Sequence, residues 1–83
     1  GNVRVPKSVA THGGDRITSM RTSDGEVMGF AVHGVGAGNA THYFDVDGNR
    51  LNIDSKDNSD LGQAARAAKA MNILSQRMSL KAT

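Results

Sequence analysis

Along the first two-thirds of the chain, apolar and polar side chains tend to alternate. In the last third they recur every three to four residues. Alternation marks half-buried strands and the longer spacing marks a helix. Residues 16–22 open the first alternating run, and Ser23-Asp24-Gly25-Glu26 reverses it. Asp-Gly is a strong hairpin signal because the turn needs positive φ, which these residues tolerate. The return run covers residues 26–35. A two-residue turn sets Arg21 opposite Met28, Ser19 opposite Phe30 and Ile17 opposite Val32. Met28, Phe30 and Val32 would then share a face with Ile17.

Gly34, Gly36 and Gly38 interrupt the pattern. A second hairpin follows, with strands at about 41–46 and 49–53 around Asp47-Gly48. A two-residue turn here sets Asp45 opposite Arg50, Phe44 opposite Leu51 and His42 opposite Ile53. One face would hold His42, Phe44, Val46, Leu51 and Ile53. The other would hold Tyr43, Asp45, Arg50 and Asn52, with an Asp45–Arg50 pair on the wet side.

From about residue 60 to 79 the spacing predicts one helix, with Ser59 or Asp60 as cap. Ala64, Ala67, Ala68, Met71, Leu74 and Met78 gather on one side. Arg66, Lys69, Arg77 and Lys81 gather on the other, with Ala70 and Ile73 among them. The expected fold class is therefore α+β: an antiparallel β-meander of three to four strands with one C-terminal α-helix packed on one face. Residues 16–83 form the single domain. Residues 1–15, with Pro6 inside them, are expected to be extended or partly mobile.

Composition narrows the picture. The chain has 83 residues, 37% of them hydrophobic, with one Tyr, two Phe and no Trp. Such a chain makes one thin core of aliphatic side chains. It has no cysteine, which removes disulfide and thiolate chemistry and suits a cytoplasmic setting. No apolar run reaches the roughly 20 residues of a membrane span, so a soluble protein is expected. A start at Gly1 rather than Met suits a processed product or a piece of something longer. Net charge is only +2, but it is unevenly spread. Residues 45–60 carry five acids against two cations, and residues 61–83 carry four cations and no acid. That asymmetry points to an electrostatic partner, or to a match between the two segments.

Several groups are candidates for chemistry. His33 ends one strand and His42 begins the next, so a histidine acid–base pair, with His12 nearby and Glu26 or Asp45 to orient it, would suit a ribonuclease or toxin. The bland alternative is a core His42 and surface His12 and His33. No His-x-His or His-x₃-His spacing supports zinc, and no cofactor is expected. The Gly34–Gly38 stretch lacks the helix that follows a phosphate loop. Asp45-Val46-Asp47-Gly48-Asn49 has Arg50 and Lys56 where a calcium loop wants Gly and an acid. The order of three strands and an alanine-rich helix resembles double-stranded RNA-binding domains only in outline. Those open with a helix and begin the last one with a lysine cluster; here the start reads extended and the helix begins Asp60-Leu61-Gly62-Gln63.

The basic stripe leads the functional reading. Arg66, Lys69, Arg77 and Lys81, with Arg16 and Arg21, are expected to contact nucleic-acid phosphates or an acidic protein surface, as a non-catalytic binding module. An interaction or inhibitor domain working by edge-strand addition is the second reading. The histidine-dependent nuclease is the third.

Overall fold

The computed structural model describes residues 4–11, 16–35, 40–53 and 59–82, with side chains through residue 80. Among these residues five elements occur, in the order α1 (Lys7–Ala10), β1 (Arg16–Arg21), β2 (Val27–Val35), β3 (Ala40–Asp45) and α2 (Asp60–Ala82). The strands form one antiparallel sheet in the order β1-β2-β3, giving an α+β fold.

Both turns are one residue longer than the two-residue reversals the Asp-Gly pairs suggest. Thr22 N–H donates to Glu26 O at 2.8 Å and Gly25 N–H to Thr22 O at 3.0 Å. Asp45 and Asn49 repeat the arrangement, with N–H to O at 2.9 Å, and Gly48 N–H donates to Asp45 O at 3.1 Å. Gly25 and Gly48 take φ of +90° and +87°. This is the three-residue loop that closes with a left-handed residue.

The extra residue has different consequences in the two hairpins. In the first, a register shift between Met20 and Arg21 absorbs it: Arg21 meets Val27, Met20 meets Gly29, and Ser19–Phe30 and Ile17–Val32 pair as expected. Met28 is the residue left over. It turns to the helix side, where its Sδ accepts the Ser75 hydroxyl at 3.7 Å. In the second hairpin nothing absorbs the slip. Phe44 bridges Arg50 instead of Leu51, and Leu51 N–H donates to Tyr43 O at 2.7 Å. A one-residue slip moves every following side chain to the other face. Phe44 and Leu51 therefore lie in different apolar clusters, which corrects the expected shared face. The Asp45–Arg50 pair does not form, and residues 49–53 contribute a single bridge rather than a fourth strand.

The sheet is covered on both sides. On one face Met28, Ala31, Tyr43 and Leu51 pack with Ala70 and Leu74 of α2. The helix lies chiefly over β2 and β3. A side chain at Gly29 would strike the Phe44 carbonyl and come within 2.8 Å of Leu74, so this glycine is the notch the leucine fills. On the other face Phe30, Val32 and Phe44 pack with Val9, and Val5 lies against them. Where an extended start is expected, Lys7–Ala10 make one helical turn, and Val9 is only 1% exposed. Ser8 Oγ donates to Gly48 O at 3.0 Å and ties this turn to the second hairpin. The opening turn makes the element order α-β-β-β-α, but the last helix still begins without a lysine cluster.

Ser59 caps α2 by accepting Gly62 N–H at 3.2 Å. The helix is rotated by about a quarter turn from the expected stripe, at about 100° per residue. Gly62, Arg66, Ala70 and Leu74, spaced by four, are the buried row, while Ala64, Ala68 and Met71 are exposed. Alanines on every side make the apolar pattern nearly degenerate. Leu74, seated at Gly29, and the Arg77–Asp45 contact fix the rotation instead.

Candidate functional site

The rotation of α2 decides what becomes of the basic stripe. Arg66 is 8% exposed, on the sheet side. It lies close enough to Tyr43 for its positive charge to favour the phenolate, while burial pushes the phenol up more strongly, leaving it above its ordinary value. Arg77 Nη1 donates to Asp45 Oδ2 at 3.1 Å. Lys69 is exposed, and the Lys81 side chain lies outside the described residues. The four cations thus do not form one solvent-facing array. Part of the charge asymmetry between residues 45–60 and 61–83 is an internal match, made by Asp45 and Arg77.

Asp45 has a second task. Its Oδ1 accepts N–H from both Asp47 and Asn49 at 2.9 Å. The carboxylate that suggested a cation loop is thereby committed to closing its own turn. Among the described residues no group of three His, Asp or Glu side chains is placed to hold a metal ion.

His33 and His42 do not come together. Val32 pairs with His42, so His33, one residue on, faces the opposite side of the sheet. His33 Nε2 lies 3.2 Å from Thr18 Oγ1, and Nδ1 lies 3.3 Å from Thr41 Oγ1. Partial burial, helped by the nearby Arg16 charge, holds its pKa below the usual histidine value. His42 Nε2 instead sits 3.5 Å from the Arg50 guanidinium. Glu26 and Asp45 belong to the turn end of the sheet, and His33 pairs with Arg16 at the other end. No carboxylate proposed from sequence to orient a histidine therefore sits beside His33. His12 lies outside the described residues, as do Gly36–Gly38, Asp54, Lys56 and Asp57. The threonines that flank His33 carry no sequence signal of their own. They follow from strand pairing, which places Arg16 and His33 opposite one another.

The two remaining cations, Arg16 and Arg21, bracket β1. All six residues of this strand pair with β2. Along its other side no strand pairs with it among the described residues. Arg16, Ile17, Thr18 and Arg21 are exposed. Arg21 Nη1 donates to Gly25 O at 2.9 Å, which holds that cation at the turn end. The opposite edge of the sheet is different. Residues 49–51 lie along β3, bonded through Asp45–Asn49 and Tyr43–Leu51, and blunt it.

No family model, no curated protein and no solved structure matches this chain.

Proposed function

We propose that this chain is a non-catalytic protein-interaction module that takes an extended segment of a partner onto the outer edge of β1. The observation that carries the reading is the edge itself: six residues paired on one side and largely exposed. An edge strand offers a row of N–H and C=O groups to another chain, and main-chain hydrogen bonds then supply affinity. Arg16 and Arg21 at its two ends favour a segment carrying acidic side chains. The other edge, already covered by residues 49–51, is the poorer acceptor.

Contact with nucleic-acid phosphates is less well supported. It asked four helix cations to face outward, but Arg66 is buried on the sheet side and Arg77 is paired with Asp45. Arg66→Ala would test packing at Tyr43 more than phosphate affinity. The nuclease reading loses the His33–His42 pair, since these two look to opposite faces.

The test uses the alternation of strand N–H groups. Of two adjacent residues in β1, one donates to β2 and the other points outward. Proline at Ile17 and, separately, at Thr18 therefore removes a ladder bond in one variant and an outward donor in the other. One of the two should keep the wild-type melting temperature and yet lose the partner captured by the wild-type chain. That capture should persist as salt rises, and β1 amides should gain protection from hydrogen exchange in the complex. A folded proline variant with full capture at both positions would rule out the edge. Steep loss of oligonucleotide binding with salt would favour phosphate contact instead.

A further inference from the structure

A second surface lies at the turn end of the molecule, away from the Arg16–His33 end. The two hairpin turns and the last turns of α2 enclose a groove of about 670 Å³. That is within the size range of ligand sites, roughly 300–1,000 Å³. Its apolar lining includes Val27, Met28, Leu74 and Met78, and its rim includes Val46 and Leu80. Val46 is 36% exposed and Leu80 is 75% exposed. Two methionines give the lining side chains that adapt to an irregular guest.

The charges lining this groove are three carboxylates and one guanidinium, a negative balance. Glu26, Asp45 and Asp47 come from the turns, and Arg77 comes from the helix. Asp45 and Arg77 are spent on one another at 3.1 Å. Glu26 and Asp47 remain, both exposed, and neither carboxylate has an ion pair among the described residues. An apolar trough with two carboxylates at its mouth, unpaired among the described residues, disfavours phosphate and acidic protein. It complements a segment that is apolar on one side and cationic on the other.

We infer that this groove binds a cationic amphipathic segment of a partner protein. The segment's apolar side chains rest on Met28, Val46, Met78 and Leu80, and its Lys or Arg side chains reach Glu26 and Asp47. This surface is separate from the β1 edge, and the inference does not depend on the strand-addition reading.

Two labelled 12-residue probes test it: a Leu/Lys amphipathic peptide and a Leu/Glu peptide of the same pattern. With the ¹⁵N-labelled chain, the Leu/Lys peptide should give saturable shift changes at residues 26–28, 45–47 and 74–80. The Leu/Glu peptide should give none there. Glu26→Gln with Asp47→Asn should weaken Leu/Lys binding about tenfold or more while leaving the melting temperature unchanged. Equal response to both peptides, undiminished binding by the double variant, or shifts confined to another surface would each overturn the inference. Shifts at these residues on raising protein concentration alone would mean that a second copy of the chain fills the groove, and would also overturn it.

Discussion

At Gly48 two demands meet in one residue. Its φ of +87° is left-handed, and a Cβ there would collide with Ser8 Oγ and come within 2.9 Å of the Pro6 ring. Gly25 has the same backbone geometry, φ +90°, with nothing within 4 Å of its missing Cβ. Gly25→Ala should therefore cost only the conformational penalty of about 1–2 kcal/mol. Gly48→Ala should cost that plus an overpacking term of about 1–3 kcal/mol. Urea melts of the two variants measure the difference, and equal losses would mean that the N-terminal turn does not rest on Gly48. His33 gives a second prediction at this scale. Its lowered pKa means that the unfolded chain takes up a proton first. The stability this group confers is complete above the ordinary histidine value of 6.5 and drains away as pH falls through it toward the folded value. His33→Gln should thus flatten the fall in melting temperature between about pH 7.5 and 5. Parallel pH profiles for variant and wild type would refute this.

At the scale of elements, the three strands and the helix are legible in alternation and spacing, and the glycines mark both reversals. Turn length is not legible. Asp-Gly serves a two-residue turn and also the last two positions of a three-residue one, and a single residue separates the two outcomes. In the first hairpin the surplus at Met28 restores the expected pairing. In the second, Leu51 crosses to the helix side and leaves Phe44 behind. The helix shows the same limit, because its alanines name the element without naming its buried side. Of the candidate site residues, Arg16 and Arg21 lie on the strand read from the sequence, but the bulge at Met28 moves Arg21 from the expected Met28 to Val27. The fates of Arg66 and Arg77 depend on a rotation set by the Gly29 notch and by Asp45. Asp45 should accordingly matter more than its partner. Arg77→Ala removes a half-exposed ion pair, with the arginine side chain 51% exposed, and should cost about 0.5 kcal/mol. Asp45→Ala also strips two turn amides of their acceptor and should cost about 2 kcal/mol. A thermal double-mutant cycle separates the two contributions. Equal single-variant costs would show that the turn amides gain nothing from the carboxylate.

At the scale of the whole molecule, the sheet has two unequal covers. A 23-residue helix lies on one face and a one-turn segment on the other. The smaller cover closes over Phe30, Val32 and Phe44, which are 1%, 0% and 3% exposed. Deleting residues 1–11 should bare this cluster, lower the melting temperature and raise binding of a hydrophobic dye. An unchanged melt would mean that the sheet and α2 are sufficient alone. Val5 and Val9 give this cover little sequence signal, because two apolar residues around Pro6 suit an extended edge as well as one helical turn. Its weight comes from contacts with residues far along the chain.

The Ser8–Gly48 hydrogen bond joins residues forty positions apart. During synthesis the seat of Val9 stays incomplete until Phe44 and the second turn have left the ribosome. Closing so wide a loop late places the opening segment among the final pieces to settle. In the finished protein the same clasp is the natural first point of release, since breaking it loosens one turn and leaves the strand ladder intact. Proteases that sample brief openings should therefore nick the chain near Lys7 before they reach any strand.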